Sequence, residues 1–267
     1  MPESGGIFYR ESGPSDGPVA LLVHGFPSSS FMWRRPMEAL AGAGWRCVAP
    51  DLPGYGDSEP DPPATWERHI EALERFRSGL GLEDVLLVVH DWGGLIGLRW
   101  ACDHPGAARA LAISDTGFFP DGRWHGMAKA LRTEGEGEQF MDNVSRELLG
   151  MTLAQLSPGM GEQDFDECWK CLSTPERRAG VLEMYRSGDF EKLAPYEGKL
   201  GALGIPARII WAESDEFAPV AGAHRLAAEI PGAEVTVIDG AGHFLVEDAP
   251  DRYCDELVAF ARSLQLA

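Results

Sequence analysis

The chain has 267 residues and carries 23 Lys and Arg against 42 Asp and Glu, a formal net charge of -19. That length suits one α/β domain with an insertion and a sizeable core, and the charge repels phosphate backbones and anionic lipid, which argues against nucleic-acid and membrane partners. The opening MPESGGIFYRESG has no basic region followed by an apolar stretch, and no uncharged run approaches a membrane span, so a soluble, cytoplasmic protein is expected.

Short aliphatic runs alternate with segments of helical period. Val19 to Val23 predicts a first strand, followed by the loop His24-Gly25-Phe26-Pro27, and Arg46 to Pro50 predicts a second. Trp66, Ile70, Leu73, Phe76 and Leu80 then recur at three- and four-residue spacing, as a helix packed on a sheet requires. Val85 to Val89 predicts a strand, and Leu95 to Cys102 is apolar on most faces, which predicts a central helix. After the strand candidate Ala110 to Ser114 the alternation stops. Between about Thr116 and Leu203 only helical segments appear, at Trp124 to Leu131, Phe140 to Leu149, Phe165 to Cys171 and Pro175 to Tyr185, joined by glycine-rich stretches such as Gly135-Glu-Gly137 and Pro158-Gly-Met-Gly161. Strands resume at Arg208 to Ala212 and Glu234 to Ile238. The pattern predicts an α/β fold with a mostly parallel sheet covered on both faces, its core formed by residues 1–116 and 204–267. Residues 117–203 are expected to form a helical cap over the strand ends.

Five cysteines, Cys47, Cys102, Cys168, Cys171 and Cys254, lack disulfide-framework spacing. The lone Cys168-Trp-Lys-Cys171 has no second ligand pair for zinc and no strand before it for a thioredoxin-like site, so it reads as two thiols one turn apart on a helix.

The chemistry centres on Leu87-Val88-Val89-His90-Asp91-Trp92-Gly93-Gly94, where an aliphatic strand stops at an acid followed by glycines. This is a nucleophile elbow with a carboxylate where serine usually sits. A carboxylate is already charged at neutral pH, with a reference pKa near 3.9. Its attack on an ester carbonyl would give a mixed anhydride with little gain, whereas displacement at a saturated carbon gives an ester that water can cleave. Asp91 therefore points to an epoxide or an alkyl halide, and away from the esterase or perhydrolase chemistry that favours serine.

The partners such a nucleophile needs follow other strands. The backbone N–H groups of Phe26 and Trp92 are candidates for an oxyanion hole, each donor worth about 3 to 4 kcal/mol in comparable enzymes. His24 is expected to tie down its loop rather than react. His243, in Gly240-Ala-Gly242-His243-Phe244, can act as general base on water, and Asp215 can orient its ring. The order Asp91, Asp215, His243 is nucleophile, acid, base. A non-catalytic ligand binder would have no need of all three.

The HGFP loop, Asp51-Leu-Pro-Gly-Tyr-Gly-Asp-Ser58, the HDWGG elbow, Asp215 and GAGHF together resemble the α/β-hydrolase superfamily, in its epoxide hydrolase and haloalkane dehalogenase branch. The resemblance covers nearly the whole chain outside the cap. It implies no metal and no cofactor, a small-molecule substrate, and a monomer or homodimer. Epoxide hydrolases open the ring with cap tyrosines, and Leu182-Glu-Met-Tyr185-Arg186 is similar to the segment carrying one of them, which makes Tyr185 the candidate acid. Their usual second tyrosine falls earlier in the insertion, whereas the insertion's only other tyrosine, Tyr196, follows Tyr185; Trp124 or His125 would have to replace it. Dehalogenases hold the halide with N–H donors, often two tryptophans, and Trp92 stands at the position of their first, with Trp124 or Trp169 as candidate second donor; Phe26 stands where many have an asparagine. On balance the resemblance implies an epoxide hydrolase, with haloalkane dehalogenase as the alternative.

Overall fold

Parallel strands covered on both faces must be apolar at every position, and Val85–His90 (β5) is buried at all six of its residues. A computed structural model describes residues 3–265 of the chain. Around β5 it builds an eight-stranded sheet from Glu3–Ser4 (β1), Ile7–Ser12 (β2), Val19–Val23 (β3), Arg46–Pro50 (β4), Ala108–Ser114 (β6), Ala207–Ala212 (β7) and Glu234–Ile238 (β8), in the order β1-β2-β4-β3-β5-β6-β7-β8. From β4 to β8 all neighbours run parallel, whereas β1 and β2 are antiparallel to each other and β2 to β4. β5 lies near the centre, where the chain reverses its winding across the sheet, so its carboxyl end opens onto a crevice.

Successive strand residues point to opposite faces. Leu21, Val23, Leu87 and Val89 face Trp66–Gly79 (α2) and Trp92–Asp103 (α3), while Ala20, Leu22, Leu86 and Val88 face Arg34–Gly42 (α1) and Pro250–Ser263 (α12). Ala221–Glu229 (α10) packs on β7 and β8, and the short Leu245–Asp248 (α11) leads into α12.

Between β6 and β7 the chain is entirely helical: Gly126–Arg132 (α4), Glu136–Asn143 (α5), Arg146–Leu156 (α6), Glu162–Trp169 (α7), Pro175–Ser187 (α8) and Lys199–Ala202 (α9), with 3-10 turns at Lys170–Leu172 and Phe190–Tyr196. The single helix expected over Phe140 to Leu149 is two. Val144 is extended, and the Ser145 hydroxyl caps a new helix by accepting from the Leu148 amide at 3.2 Å. The β1–β2 hairpin escaped the sequence reading because Ile7, Phe8 and Tyr9 are buried in succession, without the alternation of a one-faced strand.

Candidate active site

Asp91 stands between β5 and α3 with φ 51° and ψ −125°, a conformation a non-glycine residue holds only under constraint from its surroundings. Packing around the turn supplies that constraint. A Cβ on Gly93 would collide with the carbonyl oxygens of Val23 and His24, and one on Gly25 with the Asp91 carboxylate itself. The carboxylate is partly exposed, at 23% of its side chain. Its Oδ1 accepts from the Phe26 amide at 2.8 Å. One of the two expected oxyanion donors thus binds Oδ1, and Oδ2, on the His243 side, is left to react. Burial, the largest single influence, raises the Asp91 pKa, but the His243 ring, with smaller help from His90 and the Trp92 amide, brings it below the ordinary carboxylate value.

His243 follows β8, and its ring lies between two acids. Nε2 is 3.5 Å from Asp91 Oδ2, and Nδ1 donates to Asp215 Oδ2 at 2.7 Å. Asp215, beyond β7, also accepts at Oδ1 from the amides of Phe217 and Ala218, at 2.7 and 2.9 Å. Burial lowers the His243 pKa, yet Asp215, by charge and hydrogen bond, and Asp91 outweigh it and hold the ring well above an ordinary histidine. His90, which the sequence reading passed over, lies beneath with its centroid 4.9 Å from that of His243, and its Nε2–H donates to the His243 carbonyl at 2.8 Å. Burial, helped by the His243 charge, holds its pKa down at about 4, so the ring is a neutral prop. His24 is also structural. Its Nδ1–H donates to the Gly25 carbonyl at 2.9 Å, and Nε2 accepts from the Leu52 amide at 2.9 Å.

A cavity of about 310 Å³ opens onto Asp91 and His243, with Trp92, Trp124, His125 and Tyr185 in its wall. The Trp92 and Trp124 rings stack at 5.4 Å and 23°, and Tyr185 meets Trp92 edge-on at 5.2 Å and Phe26 at 5.4 Å. Arg132 clamps this corner, donating to the carbonyls of Tyr185 and Gly188 with its guanidinium 5.3 Å from the centre of the Trp124 ring. Burial first, and then the Asp91 charge, push the Tyr185 phenol well above its usual pKa, against the opposing influence of the Trp92 side chain. His125 caps α4, accepting from the Ala128 amide at 3.5 Å, and burial lowers its pKa.

One candidate falls elsewhere. Trp169 does not line the cavity; it ends α7 with the Arg178 guanidinium 5.5 Å from its ring centre, because α7 packs away from the crevice. Tyr196 donates to the Asp103 carboxylate at 2.8 Å, on the far side of α3. Cys168 and Cys171 are free thiols in buried surroundings. Among the described residues no group of three or more metal-ligating side chains forms, and no helix is long and apolar enough to cross a membrane. The sequence reading also missed Asp115, which follows β6 as Asp91 follows β5, and lines the same cavity.

A model of the alpha/beta hydrolase family matches residues 20–256. A haloalkane dehalogenase of Mesorhizobium japonicum is 31% identical over 264 residues, covering 91% of this chain and 84% of the relative. Among solved structures, a haloalkane dehalogenase from Bradyrhizobium elkani superposes with TM-score 0.86 at 25% identity over 97% of this chain and 95% of that one. An epoxide hydrolase from Vigna radiata superposes with TM-score 0.81 at 23% identity over 96% and 94%, a likeness of fold alone.

Proposed function

Because the chain belongs to the α/β hydrolase family, in its epoxide hydrolase and haloalkane dehalogenase branch, we propose that it is a hydrolase in which Asp91 displaces a halide from a saturated carbon. The observation that carries the leaving group is the pair of indoles, Trp92 and Trp124, in the cavity wall beside Asp91. A halide departs as an anion and needs only N–H donors, and both indoles border the cavity that opens onto Asp91. The dehalogenase names of the relatives add support. The preference thus reverses the order read from the sequence.

In the first step Asp91 Oδ2 attacks the carbon opposite the leaving group; the carbon–halogen bond breaks with its electron pair, and an alkyl ester forms. In the second, His243 takes a proton from water and the oxygen adds to the Asp91 carbonyl carbon. Negative charge gathers on Oδ1, which accepts from the Phe26 amide, with the Trp92 amide as the second proposed donor. Collapse expels the alcohol, which recovers the proton from His243; one water oxygen remains on Asp91, whose carboxylic acid then releases the water's second proton to solvent and returns to the carboxylate. Esterification also prepares the base. It removes one of the two negative charges that raise the His243 pKa, so the ring becomes less basic when it must be neutral.

Tyr185 favours a second reading, epoxide opening. Its ring meets Trp92 edge-on in the cavity wall, where its hydroxyl could protonate the departing alkoxide. It is one tyrosine where epoxide hydrolases usually use two, and Tyr196 does not line the cavity. Parallel assays of halide release from short 1-haloalkanes and diol formation from terminal epoxides test the choice. Diol without halide reverses the ranking. If neither appears and Asp91 gains no mass in the His243→Gln variant with either substrate set, displacement at saturated carbon is wrong.

A further inference from the structure

The sheet brings a second enclosed acid to the catalytic one. Asp115 is fully buried at the end of β6 with φ 43°, again a strained conformation for a non-glycine residue. Its Oδ1 accepts from the Ala212 amide at 3.0 Å, while its Oδ2 is enclosed with no protein hydrogen-bond donor. β6 and β7 are paired neighbours, so Asp115 and Asp215 follow adjacent strands at the same end of the sheet, and the Asp215 charge acts on the Asp115 carboxyl. Two ionised carboxylates in one buried site repel, so one of them holds a proton. The donors decide which. Asp215 accepts from Phe217 N, Ala218 N and the His243 ring, whereas Asp115 accepts from one amide. Burial and the Asp215 charge correspondingly push the Asp115 pKa well up, while Asp215 is held below its usual value by His243 and the two amides despite burial. A proton on Oδ2 converts an enclosed acceptor without a donor into a donor beside a neighbouring anion.

We propose that Asp115 is a positioning residue: it carries its proton on Oδ2 and donates it to the Asp215 carboxylate, fixing the acid that orients His243. The inference rests on reading Asp91, His243 and Asp215 as the reacting set, with either leaving group. Besides Asp215 and His243, beyond β7 and β8, the ionisable group facing Asp115 is the Tyr253 phenol of α12, which burial keeps neutral. The added hydrogen bond stabilises the Asp215 anion and makes it a weaker proton acceptor. His243 is thereby kept from becoming too basic to lose its proton at neutral pH.

Asp115→Asn and Asp115→Gly separate this role from a merely structural one, since both residues tolerate a positive φ. Asn keeps an acceptor for Ala212 and a neutral donor for Asp215; Gly keeps only the backbone. Hydrolysis of the alkyl ester, followed by intact mass after a single turnover, is expected to slow about tenfold or more in the Gly variant, with its acid limb displaced to higher pH, while Asn restores most of the rate. Infrared spectra of the wild-type protein should contain a deuterium-sensitive protonated-carboxyl band that disappears in the Asn variant. The proposal is overturned if the wild type lacks that band, if Asn impairs hydrolysis as severely as Gly, or if Gly hydrolyses as fast as the wild type. A wild type that forms no ester at all refutes the reacting set instead, and the infrared band still reports on the Asp115 proton.

Discussion

The groups assigned to bond making sit on the sheet, and those assigned to the leaving group sit largely on the insertion. Phe26, Asp91, Asp215 and His243 each follow a strand, and their positions are set by backbone packed to contact distance, as at Gly25 and Gly93. Trp124 and Tyr185 sit just before α4 and on α8, held by ring contacts and by the Arg132 guanidinium. The insertion itself is uneven. Leu131, Met141, Leu172 and Leu182 join the core of the sheet domain, whereas α6 and α7 rest on a small cluster of Leu153, Phe165, Cys168 and Phe244 and leave Leu148 and Met151 exposed. Chemistry is thus assigned to the rigid part, and the choice of leaving group to a part whose side chains can change without disturbing the elbow.

That division can be broken most directly at Asp91. Asp91→Ala is expected to lower turnover by on the order of 10⁴-fold or more and to abolish the mass adduct, because no other oxygen in the site is placed to form the ester. His243→Gln should cost roughly 10² to 10⁴-fold in turnover while leaving ester formation intact, so that the adduct accumulates. Gly25→Ala is expected to slow both steps by about 10²-fold, as its Cβ displaces the Asp91 carboxylate from the Phe26 amide; normal ester formation in this variant would show that the loop yields and the site is softer than described. On the insertion the effects should be smaller and selective. Trp124→Phe is expected to slow halide release by roughly tenfold to a hundredfold, and Tyr185→Phe by less than about threefold, since a halide needs no proton. The opposite ranking would move the reading to epoxides.

Acid pH should separate the two steps in the unmodified protein. Asp91 ionises below the ordinary carboxylate range, so ester formation continues as pH falls, whereas hydrolysis requires a neutral His243 and fails first. Quenched samples analysed by intact mass are expected to show more ester at lower pH; a constant ester level would show that His243 is not the base.

Much of the sheet was legible. The six predicted strands each agree with the structure to within two residues, because buried parallel strands are uninterrupted aliphatic runs. Asp91, Asp215 and His243 stood out for a related reason, as polar residues directly after such a run or in the short loop that follows it. Asp115 occupies the equivalent place after β6 and was overlooked because nothing in Ser114-Asp115-Thr116 distinguishes an enclosed acid from a turn residue. In the insertion the helix break at Val144 and the outward placement of Trp169 and Tyr196 were not legible, since helical period gives a face but not the element it meets.

The sequence by itself determined the α/β class, the family and the residues beyond the strand ends, because strand burial and elbow packing restrict each position locally. Only the tertiary structure decided which aromatic side chains share the cavity with Asp91 and that the buried Asp115 borders it too. Those relations join residues far apart in the chain, through the fold of the insertion over the crevice and the close approach of β6 to β7, and no local pattern encodes such distances.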